Sequence, residues 1–459
     1  MIFDSPTDFS IGGRIFYKGK RMKKIGIVIC NYNKKDYVLN CIQSVLESKN
    51  QDFDLYVADN ASTDGSVEAI EKTYGDAVTV LVNPENLGGS GGFNLGIRKI
   101  LEKGYEYLCC LDNDILVDEN AIGALADYLD AHPDTGVCGS IVYHMDYPEY
   151  VQQYGLDLDF ENFTAITHYA DYLDDGNIPA VNECDTVATC SVMLRTRFIK
   201  ESDIGIMPED NFIYWDDMEW CYRFHLAGHK VVTIKDSVVL HKMGSNAKPV
   251  NTFINYYMWR NRIHFFMKYT PEEKLDRMSY CILSSVFDAM YESMYREEHN
   301  IMQTISYAYY DAIRDVRGKA SDGKIMENDA SDSRFQAYLQ TKKTYYLKAD
   351  TPEEEQDAQT FIEALQTGCR RVEQESEAEI TIAVCPYIMQ CKREQYPGED
   401  QIVLDSYKNV ILNESDWEAV SQYDYAKSLF IYMNQGAFLD ATKALREGGE
   451  SDTIGSYTS

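Results

Sequence analysis

From residue 25 the apolar positions follow two alternating rhythms. Short continuous apolar runs, beginning with "KIGIVICNY", read as buried strands. Between them, sets such as Val38, Cys41, Ile42, Val45 and Leu46 recur at the three-and-four spacing of a helix face. The series continues as strand "FDLYVADNAS", helix "DGSVEAIEKTYG" with Thr63 or Asp64 placed to cap it, strand "AVTVLVNPEN", helix "SGGFNLGIRKILEKG" and strand "YEYLCCLDND". Strands alternating with helices of this length predict a parallel sheet covered on both faces. Ligands of such sheets bind beyond the carboxyl ends of the strands. The polar clusters "NYN", "ADNASTDGS" and "LDND" all fall at those ends.

Beyond about residue 135 the pattern is mixed. "TGVCGSIVY", "DTVATCSVMLRT" and "HKVVTIKDSVVLH" read as further strands, and "DDMEWCYRFHLAG" and "FINYYMWRNRIHFFMKY" as helices. Residues 271–320 read as mostly helical. Past residue 324 the composition turns acidic and polar, and a small α/β pattern follows: strands "EITIAV", "QIVLDSY" and "SLFIYM", and a helix from Ser415 whose capping box Glu418 completes. The expected division is an N-terminal extension (1–24), a main α/β domain (25–270), a helical segment (271–324) and a C-terminal region (325–459).

Composition narrows the class. The 459 residues, 45% hydrophobic, are ample for a large core, and their net charge of −31 argues against nucleic-acid binding. "YKGKRMKK" (17–24) is a local basic exception, either a solvated tail or a weak contact with a membrane or lipid carrier. No apolar run approaches the ~20 residues of a membrane span, and no secretory signal core stands at the N-terminus. The twelve cysteines, without paired CxxC spacing, therefore read as reduced thiols of a cytoplasmic protein.

Several side-chain groups could carry chemistry. Asp112 and Asp114 flank Asn113 at a strand end; they are an acidic turn or ligands of a hard divalent cation. The neighbouring Cys109 and Cys110 read as small core residues. Gly88, Gly89, Gly91 and Gly92 join a strand to a helix, where the backbone can approach an anionic ligand, or simply turns. Asp59 ends the second strand, where an acid can accept from a base or ribose while Ser62 to Asp64 cap a helix. Asp216 and Asp217 favour a helix start, or supply a general base beside Trp215, Glu219 and Trp220. His241 closes the last strand.

In this order, the motifs "IVICNYN", "VADNASTDGS", "NLGGSGGFNLGI", "LDNDI", "CSVMLR", "FIYWDDMEWCYR", "VVLHKMG" and "YYMWRNRI" strongly resemble the family 2 glycosyltransferases of GT-A fold. The pattern is most similar to bacterial rhamnosyltransferase and galactofuranosyltransferase-like members, and it covers residues 25 to about 270. The resemblance implies a GT-A type nucleotide-sugar-binding domain with a mostly parallel mixed sheet, performing inverting transfer from a nucleotide-diphosphate sugar. It implies that Asp59 contacts the base, that Asn31 and Asn86 line the nucleotide pocket with Gly88, Gly89 and Asn113, and that Arg260 lies near the diphosphate. Asp112, Asp114 and His241 would hold Mg²⁺ or Mn²⁺, Asp217 would be the base with Asp216 beside it, and Trp215 and Glu219 would border the acceptor.

Deoxythymidine diphosphate rhamnose or uridine diphosphate galactofuranose is the expected donor, and a cell-surface glycan or lipid-linked molecule the acceptor. Peripheral contact with the inner membrane face, through the basic cluster and the aromatic helix at 253–269, and homo-oligomerisation belong to the same picture. Met22 is an alternative start. The rivals are a catalytically inactive binding protein of the same fold and a sugar nucleotidyltransferase.

Overall fold

The computed structural model describes residues 10–11, 14–15, 23–201, 204–242, 251–329, 334–398 and 401–451. Residues 17–22 of the basic cluster, Met22 included, lie outside the described residues. The chain divides into two compact units, one of residues 1–157 and 166–244, the other of residues 158–165 and 245–459.

The first unit is the α/β structure expected. Its strands β1 (Ile25–Asn31), β2 (Phe53–Asp59), β3 (Thr79–Val82) and β4 (Tyr107–Asp112) are parallel, in the order β3-β2-β1-β4. Helices α1 (Lys35–Leu46), α2 (Ser66–Tyr74) and α3 (Gly88–Lys103) connect them. The alternation along β1 explains the two-sided cover. Ile25, Ile27 and Ile29 pack with Val38, Ile42 and Val45 of α1, whereas Val28 packs with Ile97 and Ile100 of α3. Each such side chain, fully buried, contributes roughly 1.5–3 kcal/mol. Cys109 and Cys110 are buried in these two cores.

After β4 the chain makes β5 (Ile115–Val117), α4 (Ala121–Ala131), β6 (Thr135–His144), β7 (Tyr150–Gln153), β8 (Ser191–Arg195), α5 (Asp216–Leu226) and β9 (Lys230–His241). β8 runs antiparallel to both β4 and β6, so the sheet is mixed. β9 runs parallel to β6 and antiparallel to β5, with His241 opposite both His144 and Ile115. That register carries His241 to the turn between β4 and β5.

The second unit combines helices α6 (Phe253–Tyr269), α7 (Leu275–Tyr295), α8 (His299–Ala312) and α9 (Arg334–Gln340) with a small sheet. In that sheet Arg370–Arg371, β10 (Thr344–Lys348), β11 (Ile380–Cys385) and β12 (Gln401–Asp405) are parallel neighbours, and β13 (Val410–Ile411) closes it antiparallel. α10 (Pro352–Ala364) crosses from β10, and α11 (Glu414–Ser451) ends the described chain.

Two details here differ from the sequence reading. "SLFIYM" is not a strand but the middle of α11. The wider spacing decides it, because Trp417, Val420, Tyr423, Ile431 and Phe438 make one buried helical stripe. The α11 cap is Asn413, whose Oδ1 accepts from Asp416 N at 3.1 Å, rather than a Ser415–Glu418 box. In α6, Tyr256, Tyr257, Phe265 and Phe266 pack inside at no more than 1% exposed, whereas Phe253, Trp259 and Tyr269 are half-buried.

Candidate active site

The parallel register delivers three polar side chains to one edge of the first unit. Asn31 is opposite Asp59, and Cys30 opposite Asp112. A chain of amides links them: Asn113 Nδ2 donates to Asn31 Oδ1 and Asn31 Nδ2 to Asp59 Oδ1, both at 2.9 Å. The other oxygen of Asp59 accepts from Ser62 N at 2.8 Å, and Asp59 is fully buried. Asp59 thus both ties down its turn and orients the Asn31 amide. Asp64 Oδ1 accepts from Ser66 N at 3.0 Å at the start of α2.

Beside this lies the acid pair. Ligand atoms of Asp112, Asp114 and His241 all fall within 4.8 Å of one another. His241 Nε2 is 3.3 Å from Asp114 Oδ1, and its Nδ1 is 2.6 Å from Gln152 Oε1. An imidazole held through one nitrogen by an amide oxygen, with the other nitrogen turned to two carboxylates, is a donor set that suits a divalent cation such as Mg²⁺ or Mn²⁺. Lys34 Nζ also reaches Asp114 Oδ2 at 2.6 Å. Burial alone would raise Asp114, but its bonds to His241 and Lys34 outweigh it and hold the carboxyl below its usual range. Asp112 goes the other way, to about 6, through burial and the charge of Asp114. Burial opposes a charge on His241, yet Asp114 and Asp112 leave the ring more basic than usual.

The glycine segment forms the adjoining wall. Gly88 opens α3 with a positive φ, and its N–H donates to Asn86 Oδ1 at 2.9 Å. Asn60 links the two loops, donating to Asn86 Oδ1 and to Gly88 O. Ser90 Oγ donates to Asp216 Oδ2 at 2.7 Å, which joins α3 to the start of α5.

The paired acids of α5 separate by environment. Asp216 is buried, and burial followed by the charge of Asp217 pushes it up to about 7. Asp217 is half-buried, accepts from Met218 N at 2.8 Å and Thr189 N at 3.4 Å, and is pushed up to about 6, chiefly by burial. Asp217 opens onto a cavity of about 350 Å³ that Asp112, His144, Gln152, Thr189 and His241 also line.

Three other expected residues are buried in packing. Trp215 is 2% exposed and buried, with a φ of 64°. Glu219 is equally buried; its carboxylate bonds Arg223 at 2.7 Å and Asn211 at 3.3 Å, bracing α5. Arg260 belongs to the second unit, fully buried, donating to Gly318 O at 2.6 Å and lying over the rings of Tyr256 and Tyr257. The sequence reading passed over Lys34, Asn60, Ser90, Gln152 and Thr189. Asn60 and Ser90 lie within the family motifs and Thr189 within the strand stretch "DTVATCSVMLRT", whereas Lys34 and Gln152 carry no local signal.

Residues 26–195 match the family described as glycosyl transferase family 2. The chain carries a family 2 glycosyltransferase domain. Glycosyltransferase GlyG of Streptococcus pneumoniae serotype 4 is 25% identical to it over 228 residues, 49% of this chain and 72% of that protein. The dTDP-rhamnosyl transferase RfbF of Shigella flexneri is likewise 25% identical over 228 residues, 48% of this chain and 69% of that protein. Among solved structures, GalNAc-T7 with UDP, GalNAc and Mn²⁺ superposes on 58% of this chain and 51% of its own, at a TM-score of 0.46 and 13% identity. Within the glycosyltransferase domain, the α/β sheet carries the Asp-Asn-Asp segment at the carboxyl end of β4. Among the described residues no helix is long and apolar enough to cross a membrane.

Proposed function

We propose that the glycosyltransferase domain moves a sugar from a nucleoside diphosphate to an acceptor hydroxyl with inversion at the anomeric carbon, and that Asp217 is the general base. The observation that carries this reading is the cavity on which Asp217 faces Asp112 and His241. A carboxylate raised to about 6 is ionised at neutral pH, yet basic enough to accept a proton from an attacking hydroxyl. The N–H groups of Met218 and Thr189 aim its oxygens. As the acceptor oxygen attacks, the bond from the anomeric carbon to the diphosphate breaks, and one displacement inverts the centre. Mg²⁺ or Mn²⁺ held by Asp112, Asp114 and His241 would supply positive charge to the leaving diphosphate. Asp216, buried against Ser90, positions the start of α5 beside the glycine wall. The nucleotide side is the wall of Asn86, Gly88 and Gly89 with the Asp59–Asn31–Asn113 chain.

The similarity to RfbF supports deoxythymidine diphosphate rhamnose as the donor; uridine diphosphate galactofuranose is the second candidate, and the acceptor in this reading is a lipid-linked or growing surface glycan. That reaction suits a protein at the cytoplasmic face of the membrane. The test combines candidate sugar nucleotides, acceptors and Mn²⁺, and reads free nucleoside diphosphate and the anomer of the product. Transfer with inversion is expected, lost on chelation. Asp217→Asn should cut turnover by ~10²–10⁴-fold while nucleotide binding persists. Binding without product from any acceptor would point to the inactive binding protein; equal loss of binding and turnover in Asp217→Asn would remove the base role.

A further inference from the structure

A second reactive group lies far along the chain, within the small sheet of the second unit. Beyond sugar transfer, we propose that Cys385 and Cys391 are a covalent modification site: a dithiol that low-molecular-weight disulfides convert reversibly to a disulfide, with Cys391 attacking and Cys385 resolving.

Cys385 is the last residue of β11, at the carboxyl end of a parallel strand. The chain turns over Ile388–Gln390 and returns Cys391 so that the two sulfurs lie 3.5 Å apart. A disulfide is ~2.05 Å long, so closure needs a movement of about 1.5 Å. The turn is anchored by Ile388 N, which donates to Asp405 Oδ2 at 3.1 Å. Access is unequal. Cys385 is 4% exposed, whereas Cys391 is half-buried between exposed Gln390 and Lys392. An incoming reagent therefore meets Cys391 first.

The surroundings of Cys391 favour its thiolate. The hydrogen bond shared with Cys385 outweighs burial and, with the Tyr396 hydroxyl 3.7 Å away, brings Cys391 down to about 7. Cys385 shifts upward, because the pair shares one charge. All ten other cysteines are pushed up instead, burial being the main cause at each. The thiolate is the attacking species, so this single sulfur is set apart from the rest.

The chemistry balances in two exchanges. The Cys391 thiolate attacks one sulfur of oxidised glutathione, forming a mixed disulfide and releasing glutathione thiolate. The loss of charge at Cys391 removes the repulsion that opposed ionisation of Cys385. Cys385 then attacks Cys391 Sγ, its proton passes to the departing glutathione sulfur, and a second glutathione leaves. The two protein thiols lose two electrons and two protons, and the reagent disulfide becomes two thiols.

Tryptic peptide 372–392 contains both cysteines and no other, which makes the test direct. The full chain is equilibrated with oxidised and reduced glutathione, quenched with acid, denatured, alkylated and digested. At oxidising ratios the peptide is expected unalkylated and two hydrogens lighter than the dithiol, returning to the doubly alkylated form with dithiothreitol. Cys391 should react at least ~10-fold faster than the half-buried Cys281 and Cys369 at neutral pH. In Cys385→Ser the reaction should stop at a Cys391–glutathione adduct, and in Cys391→Ser residue 385 should stay a thiol. A peptide that remains doubly alkylated at every ratio, or prior reaction at Cys281 or Cys369, would overturn the proposal. The wild-type measurement decides it even where a variant does not fold.

Discussion

Gly88 has a φ of +78°, and a Cβ added there would sit 2.0 Å from the Phe212 carbonyl oxygen. Backbone cannot yield as a flexible side chain can, so Gly88→Ala should destabilise the protein by ~2–4 kcal/mol, read by chemical denaturation, and abolish nucleotide binding. Asp216 offers a contrasting test. Burial, followed by the charge of Asp217, pushes its folded carboxyl up to about 7, well above the usual carboxylate range, so folding favours its protonated form. Stability from this group is present at low pH and is lost as pH rises through the folded value. Asp216→Asn keeps an acceptor for Ser90 and removes the buried charge. It should therefore raise the melting temperature at about pH 8, and the gain should shrink steadily as pH falls toward about 4. Equal gains at both ends would contradict the assigned burial. Which residues were legible follows from distance along the chain. Asp112, Asp114 and His241 announce themselves by type at strand ends, but Lys34 meets Asp114 across 80 positions and Ser90 meets Asp216 across 126. An ordinary lysine or serine acquires its role only through such contacts, which local pattern does not encode.

Among elements, the parallel strands were legible because continuous apolar runs bounded by polar clusters have few other uses. The middle of α11 was not, although its start was, since Phe430, Ile431 and Tyr432, three consecutive residues of high β propensity, outweighed a stripe that becomes visible only over several turns. Its geometry makes a sharp mutational contrast. Phe438 is fully buried and Tyr432 is 84% exposed, on different faces of the same helix. Phe438→Ala should cost ~3–5 kcal/mol, and Tyr432→Ala should stay within ~0.5 kcal/mol. Comparable losses at the two positions would indicate a different register. α5 illustrates a further limit. Its three acids Asp216, Asp217 and Glu219 look alike in sequence, yet one bonds Ser90, one opens on the cavity and one braces Arg223. Only the packing around each carboxylate separates a base from a brace.

For the whole molecule, a net charge of −31 on 459 residues is a standing self-repulsion in the folded state. The screening length falls from ~30 Å at 0.01 M to ~8 Å at 0.15 M ionic strength. Raising sodium chloride across that range should increase the melting temperature by a few degrees, whereas a fall would mean that the surface ion pairs outweigh the repulsion. The division into two units also bears on how the protein can be handled. The short stretch 158–165 belongs with the second unit although sequence from the first flanks it on both sides. There Phe163 is fully buried against Phe266, and its carbonyl accepts from Arg262 Nε at 2.8 Å. The two units are stitched rather than merely joined, so no single cut separates them. A fragment ending at residue 244 would carry away an aromatic hook without its eye, leaving Phe160 and Phe163 as a self-made adhesive.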